Sequence, residues 1–134
     1  MHLPRPLVVG FSAPTFRLAI NVRVSPRAQR RLAELTATFF RPPKGTNVEH
    51  ITLGGRPVER VSFGASERPR AILYLHGGGY VTASPRVYRA LAGHLARSAA
   101  SVVFNLDYRL APEHVYPAAV DDAVAAFTAL VDVH

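Results

Sequence analysis

The run RAILYLHGGGY, residues 70–80, joins a mostly apolar stretch to a histidine, three consecutive glycines and a tyrosine. Its first part, residues 70–75, is typical of a strand that is buried on both faces. The glycines come where this strand ends, and residues without side chains leave consecutive backbone N–H groups accessible there. A loop of this kind can bind a negatively charged oxygen.

A second motif, DYRLAPEH at residues 107–114, directly follows another apolar run, SVVFNL at residues 101–106. The second run also has the composition of a strand that is buried on both faces. The motif mixes charged side chains with proline, which indicates a partly buried turn stabilised by a salt bridge. We expect Arg109 to pair with Asp107 or with Glu113 in this turn.

His76 separates the first apolar run from the glycines. Parallel neighbouring strands end on the same side of a sheet, so we expect the second motif to pack near this histidine. An imidazole offers one donor and one acceptor, and it can tie the loop to nearby backbone or to the hydroxyl group of Tyr108. We therefore interpret His76 as a support of the glycine loop and not as a general base.

Together the two motifs resemble the hormone-sensitive-lipase-like branch of the α/β-hydrolases, over roughly residues 72–124. The resemblance implies a carboxylic-ester hydrolase, an esterase or lipase, that acts on a small ester or lipid through a Ser-Asp-His triad. It implies that the backbone N–H groups of Gly78 and Gly79 form the oxyanion hole, with His76 and Gly77 shaping the loop. It also implies a group of residues that support this loop from behind: Asp107, Tyr108, Arg109 and Glu113.

The nucleophile of that family lies in a Gly-x-Ser-x-Gly turn, and no serine of this chain stands in such a turn. At 134 residues the chain is also short, because the fold is normally about twice the ~150-residue length of a typical domain. We therefore expect an incomplete, truncated N-terminal half of an α/β-hydrolase fold that is inactive by itself. The alternative is a non-catalytic remnant or binding module that associates with a second chain. The partner we expect is either a complementary C-terminal chain or a second copy of this chain in a homo-oligomer.

The predicted fold class is α/β, with an antiparallel hairpin that leads into a parallel βαβ unit and helices on the faces of the sheet. The hairpin joins residues 48–53 to residues 58–63 through Gly54-Gly55-Arg56-Pro57. A helix that begins at Ser84-Pro85 connects the two apolar runs. Residues 1–46 are predicted to be a cap-like segment and residues 47–134 a partial α/β-hydrolase domain.

Two more helices are predicted, one after Ser25-Pro26 and one from about Pro117, and Ser25 and Ser84 are expected to be N-caps. In each of the three helices, apolar residues recur at helical spacing and are expected to be buried. The stripes are Ala28, Leu32, Leu35 and Phe39 in the first helix; Val87, Ala90, Leu91, His94 and Leu95 in the second; and Val120, Ala123, Val124, Phe127 and Val131 in the third.

Other classes of function have weaker support in the sequence. A dinucleotide loop requires a third glycine where Thr82 stands, and the histidines show no metal-binding spacing, so we expect no cofactor and no metal. The net charge of +7 comes from scattered basic residues whose only dense cluster is Arg27, Arg30 and Arg31, so we expect no nucleic acid partner. Prolines and a charge interrupt the apolar N-terminal stretch, residues 3–20, which predicts a packed or membrane-surface flap and no transmembrane segment. Without cysteine or a clear signal peptide, the compartment stays open and the cytoplasm is favoured.

Overall fold

The computed structural model describes residues 24–64 and 70–133. The predicted flap at residues 3–20 lies outside these ranges. The helices and strands of the described residues follow in the predicted order: α1 (Pro26–Ala37), β1 (Thr46–Leu53), β2 (Arg56–Phe63), β3 (Ala71–Leu75), α2 (Pro85–Ala99), β4 (Val102–Leu106) and α3 (Ala118–Val133).

The four strands form one mixed sheet in the order β1-β2-β4-β3. β1 pairs with β2 and β2 with β4 in antiparallel orientation, whereas β3 and β4 are parallel, with Leu73 opposite Phe104. The predicted hairpin, the parallel βαβ unit and the α/β class are thereby confirmed.

The hairpin turn is shorter than predicted, because β2 already begins at Arg56 and only Gly54 and Gly55 connect the strands. Both glycines have positive φ, 56° and 77°, which suits a two-residue hairpin turn. A Cβ atom on Gly54 would lie 2.4 Å from the carbonyl carbon of Ala125. The turn therefore packs directly against the backbone of α3, and this close approach requires glycine.

Burial on both faces is confirmed for β4 and wrong for β3. All five residues of β4 are buried, since it lies between two strands and two helices. β3 lies at the edge of the sheet formed by the described residues, and its first and last residues, Ala71 and Leu75, are exposed.

The core lies on both faces of the sheet because successive residues of a strand point to opposite sides. One cluster packs beneath α3 and contains Val58, Val102, Phe104, Leu106, Tyr108, Ala126 and Leu130. The other packs beneath α2 and contains Val61, Ala92, Ala96 and Val103. Helices therefore cover both faces, as predicted.

The apolar stripes predicted for α1 and α2 are confirmed only in part, because Leu32 of α1 and Val87, Ala90 and Leu95 of α2 are half-buried and the other members are exposed. α1 ends at Ala37, so Phe39 lies beyond it, and both Leu35 and Phe39 are more than 60% exposed. In α2 the sheet side is formed by small residues that let the helix approach closely, whereas the predicted Leu91 and His94 are exposed. The buried residues of α2 are Pro85, Ala92, Gly93 and Ala96.

The face of α3 that packs on the sheet also differs from the prediction. It contains Asp122, Ala126 and Leu130, each at most 6% exposed. Twelve of the sixteen residues of α3 are apolar and they lie on more than one side of the helix, so spacing alone does not identify the buried face. Four of the five predicted residues lie on the outer face with 46–60% exposure: Val120, Val124, Phe127 and Val131.

The serines before the two proline-initiated helices behave differently. The hydroxyl group of Ser25 accepts a hydrogen bond from the N–H of Ala28 at 3.4 Å and caps α1, as predicted. Ser84 precedes α2 without a side-chain cap, and its hydroxyl group donates to Glu34 of α1 instead. This bond joins the first helix to the βαβ unit.

The sequence predicts a division of the chain between residues 46 and 47 into a cap-like segment and a partial domain. This domain division stays a prediction.

Candidate active site

The glycine loop follows the C-terminal end of β3, as expected for a loop that presents backbone groups. Gly78 has a φ of +130°, and a Cβ atom there would lie 2.1 Å from the carbonyl oxygen of Thr82. Gly79 has a φ of +62°, and its Cβ position has no other atom within 4 Å. The positive φ and the lack of room for a Cβ atom require glycine at residue 78, whereas the Cβ position of residue 79 faces open space.

The N–H groups of the three glycines make no hydrogen bond to another described residue. The loop is closed from the other side, because the N–H groups of Val81 and Thr82 donate to the carbonyl oxygen of Gly78 at 3.1 and 3.0 Å. The carbonyl of Gly78 therefore holds the turn, and the N–H groups of Gly77, Gly78 and Gly79 take no part in closing it.

His76 is only 3% exposed and is enclosed by two tyrosines. Its ring stacks on Tyr108 at 4.3 Å and on Tyr88 at 5.9 Å between centroids. Its Nδ1–H donates to the carbonyl oxygen of Gly77 at 2.9 Å, and the hydroxyl group of Tyr108 donates to the carbonyl oxygen of His76. Burial lowers the pKa of His76 below its usual value of 6.5, so the ring is neutral at pH 7. These contacts place the second motif beside His76, as the sequence predicted.

An open apolar cavity of about 640 Å³ lies beside the loop. Its volume is within the range of small-molecule sites, and its walls come from β3, the glycine loop and the outer face of α3. Its lining residues are Leu73, Leu75, His76, Gly77, Gly79, Tyr80, Tyr108, Ala119, Val120, Ala123, Val124 and Phe127.

The salt bridge predicted within the second motif is wrong. Arg109 pairs with Asp122 of α3, at 2.7 Å between Nη2 and Oδ1, and its backbone N–H donates to the same carboxylate at 2.8 Å. Arg56 also approaches Asp122, with Nε 3.2 Å from Oδ2. Burial raises the pKa of Asp107, which makes no salt bridge among the described residues. The partner of Arg109 lies 13 positions away on a helix whose inward face the sequence did not reveal.

Glu113 pairs with Arg30, a contact that the sequence analysis did not identify. The guanidinium group donates to both carboxylate oxygens, at 3.0 and 2.7 Å, and these hydrogen bonds lower the pKa of Glu113 from 4.5 to about 2. The two residues are 83 positions apart, and neither periodicity nor motif spacing connects them. The only feature of the sequence that draws attention to Arg30 is the dense cluster of basic residues to which it belongs.

Two negative findings apply to residues 24–64 and 70–133. These ranges contain no group of three or more His, Cys, Asp or Glu side chains placed to hold a metal ion. None of their helices has the length and apolar character needed to cross a membrane.

Residues 72–134 match a family model described as the α/β hydrolase fold. An acetyl-hydrolase of Streptomyces hygroscopicus is 39% identical over 114 residues, which are 84% of this chain and 36% of the relative. An esterase of Acinetobacter venetianus is 31% identical over 117 residues, or 87% of this chain and 38% of the relative. The chain thus spans about a third of the length of the curated relatives that it matches.

Solved structures agree with the sequence relatives. The crystal structure of an esterase from the bacterial hormone-sensitive lipase family is 34% identical and superposes with a TM-score of 0.83, covering 99% of this chain and 44% of the other. The matched part of the relatives is their N-terminal portion. Together, the family model and the structural matches show an α/β-hydrolase fold of which the chain forms an incomplete N-terminal half, and the chain is similar to esterases of the bacterial hormone-sensitive lipase family.

Proposed function

We propose that this segment supplies the oxyanion hole of a carboxylic-ester hydrolase, with the N–H groups of Gly78 and Gly79 as donors. The single observation that supports this most is that two consecutive amides beside an apolar cavity have no hydrogen-bond partner among the described residues. Relatives named as esterases and acetyl-hydrolases agree with an ester as the substrate.

The proposed chemistry follows from the charge that develops during ester cleavage. When a nucleophile attacks the carbonyl carbon, the carbonyl oxygen becomes negative, and N–H donors about 2.7–3.1 Å from it lower the barrier. Donors that are already oriented need no rearrangement as the charge forms. The open space at Gly79 lets an acyl group approach the backbone, and the apolar cavity accommodates its hydrocarbon part.

In this proposal the remaining motif residues support the loop. His76 and Gly77 shape it through the bond between the imidazole and the carbonyl oxygen of Gly77. The second motif packs behind His76 through Tyr108 and is attached by its charged residues to other elements, Arg109 to α3 and Glu113 to α1. No step is assigned to the carboxylate of Asp107.

We infer that the Ser, Asp and His of the triad come from sequence outside these 134 residues. The place for that sequence is the open side of β3 with the outer face of α3, where Leu75, Val124 and Phe127 are 48–60% exposed. The same face favours the alternative, a non-catalytic module that binds a second chain. The two proposals differ in whether the completed protein turns over an ester.

The decisive experiment is a fusion of this chain to the part of the Streptomyces acetyl-hydrolase that it does not match, called the fusion below. We expect the fusion to hydrolyse p-nitrophenyl butyrate and to react with a fluorophosphonate probe. The 134-residue chain alone is expected to show no turnover above a buffer control and no labelling, because oxyanion donors without nucleophile and base retain little catalysis. Turnover by the chain alone would contradict the proposal. A fusion that melts cooperatively yet stays inactive would favour the binding module.

The outer face of α3 gives a second prediction. Each large apolar side chain left in water forgoes roughly 1.5–3 kcal/mol, and an unpaired strand edge recruits other chains. We expect the 134-residue chain to self-associate, and Val124→Lys with Phe127→Lys to shift it toward monomer in size-exclusion chromatography with light scattering. Thr128→Lys, exposed on the same helix, is the matched control for added charge. A sharp, cooperatively melting monomer of the unmodified chain would show that this face needs no cover.

A further inference from the structure

Arg30 contacts both loops of the candidate site at once. Its Nε donates to the carbonyl oxygen of Val81 at 2.8 Å, in the turn after the glycines. Its Nη2 donates to the carbonyl oxygen of Ala111 at 2.7 Å, within the second motif, and the outer edge of the guanidinium group binds Glu113. One side chain of α1 thus bridges two loops that follow different strands.

The two loops also contact each other directly. The N–H of Ala111 donates to the carbonyl oxygen of Tyr80 at 2.8 Å. The carbonyl groups of Tyr80 and Val81, which directly follow the glycines, are therefore both fixed from outside the loop, one by Ala111 and the other by Arg30. Fixing two successive carbonyls fixes the peptide planes that orient the preceding backbone, since each peptide unit is planar.

The glycine loop needs this restraint because its backbone is strained. Tyr80 has a φ of +61°, an unfavourable conformation for a residue with a side chain, and the residue is 62% exposed. Such conformations persist where surrounding contacts over-determine them. The hydrogen bonds to the carbonyl oxygens of Tyr80 and Val81 supply that constraint here, and the ring of Tyr80 adds a tilted contact with Tyr108 at 6.2 Å between centroids.

We infer that Arg30 is a positioning residue for ester hydrolysis, holding the turn after Gly79 so that the free glycine amides point into the cavity. The inference rests on the proposed function. The guanidinium group is planar and offers five N–H donors in a fixed fork, so it can bind two carbonyls and a carboxylate together. A lysine ammonium at the same place keeps the charge without this fork, which makes Arg30→Lys the informative substitution.

The first test is kinetic and uses the fusion defined above. We expect Arg30→Lys to lower kcat about 10- to 100-fold with KM changed less than about threefold, because small misplacement of groups that act in the transition state reduces rate more than substrate binding. Arg31→Lys, on an exposed neighbouring position of α1, should leave both parameters unchanged. Equal kinetics of the two variants would overturn the inference. An Arg30→Lys variant in which KM rises and kcat stays unchanged would also overturn the inference.

The second test does not depend on activity. Arg30→Lys should speed amide hydrogen exchange at Ala111 at least about tenfold, because its N–H is bonded to the carbonyl oxygen of Tyr80 and loses protection when the two loops separate. Exchange in the sheet, for example at Val103, should not change. Unchanged exchange at Ala111 would overturn the inference. If the unmodified fusion is inactive, the proposed function fails, whereas the exchange experiment still tests whether Arg30 holds the loops.

Discussion

Gly78→Ala is expected to lower kcat/KM of the fusion for p-nitrophenyl butyrate about 100- to 1,000-fold, the usual effect of losing one oxyanion-hole donor. The new methyl group would lie 2.1 Å from the carbonyl oxygen of Thr82, so the loop must move. The backbone at φ +130° is also outside the range that alanine adopts readily. The amides of residues 78 and 79 then lose the orientation that the proposal requires of them.

The matched control for this substitution is Gly55→Ala in the hairpin turn. Gly55 also has a positive φ, +77°, but no atom lies within 4 Å of its Cβ position, and it is distant in sequence from the site. This variant should lose some stability and keep kcat/KM within about threefold, because its strain does not reach the oxyanion donors. Both variants should still melt cooperatively. If a folded Gly78→Ala fusion kept full activity, these amides would not be the oxyanion donors.

The parts of the fold that the sequence predicted well depend on local pattern. The buried strand β4 and the glycine loop after β3 follow from short apolar runs that end at glycine or charged residues. The hairpin was predictable from two glycines between segments with the composition of β-strands. The helix α2 was predictable from the proline at its first position. The meeting of Tyr108 with His76 was also predictable, because parallel strands end on the same side of a sheet.

The parts that failed depend on contacts between distant residues. α3 has apolar residues on more than one side, so periodicity could not show that Ala126 and Leu130 pack inward while Phe127 stays exposed. α2 packs on the sheet through small residues such as Ala92, which is fully buried. The sequence pattern favours the larger Leu91 for the buried face, but Leu91 is 45% exposed. Arg30 reaches the second motif from 83 positions away, and no spacing rule covers that distance.

Asp122→Ala is expected to destabilise the fusion by roughly 2–4 kcal/mol. The side chain is about 5% exposed and accepts hydrogen bonds from the backbone N–H and the guanidinium group of Arg109, with Arg56 close by. Removing one partner of a fully buried ion pair costs about 3–5 kcal/mol. We expect less here, because the side chains of Arg56 and Arg109 are 29% and 35% exposed and can reach water. Urea unfolding measures the difference.

Acid titration of a second variant, Asp122→Asn, separates the contribution of the Asp122 charge from that of its packing. Burial alone would raise the pKa of this carboxyl, but hydrogen bonds from Arg109 and the charge of Arg56 lower it below its usual value. A group whose pKa is lower in the folded state stabilises the fold above its unfolded pKa, about 3.9, and this contribution disappears as the pH falls through the folded value. The stability gap between the unmodified fusion and Asp122→Asn should therefore be constant from about pH 6 to 7 and shrink below about pH 4.

Asp121→Asn is the matched control, because Asp121 is the adjacent residue of α3 and its side chain is exposed. It should change stability by less than about 1 kcal/mol, the range for a surface charge in the first turn of a helix. A gap for Asp122→Asn that persists unchanged at pH 3 would mean that the carboxylate contributes through shape and not through charge. If Asp122→Asn lowers the stability of the fusion at pH 7 no more than Asp121→Asn does, α3 is attached to the second motif by its apolar face alone.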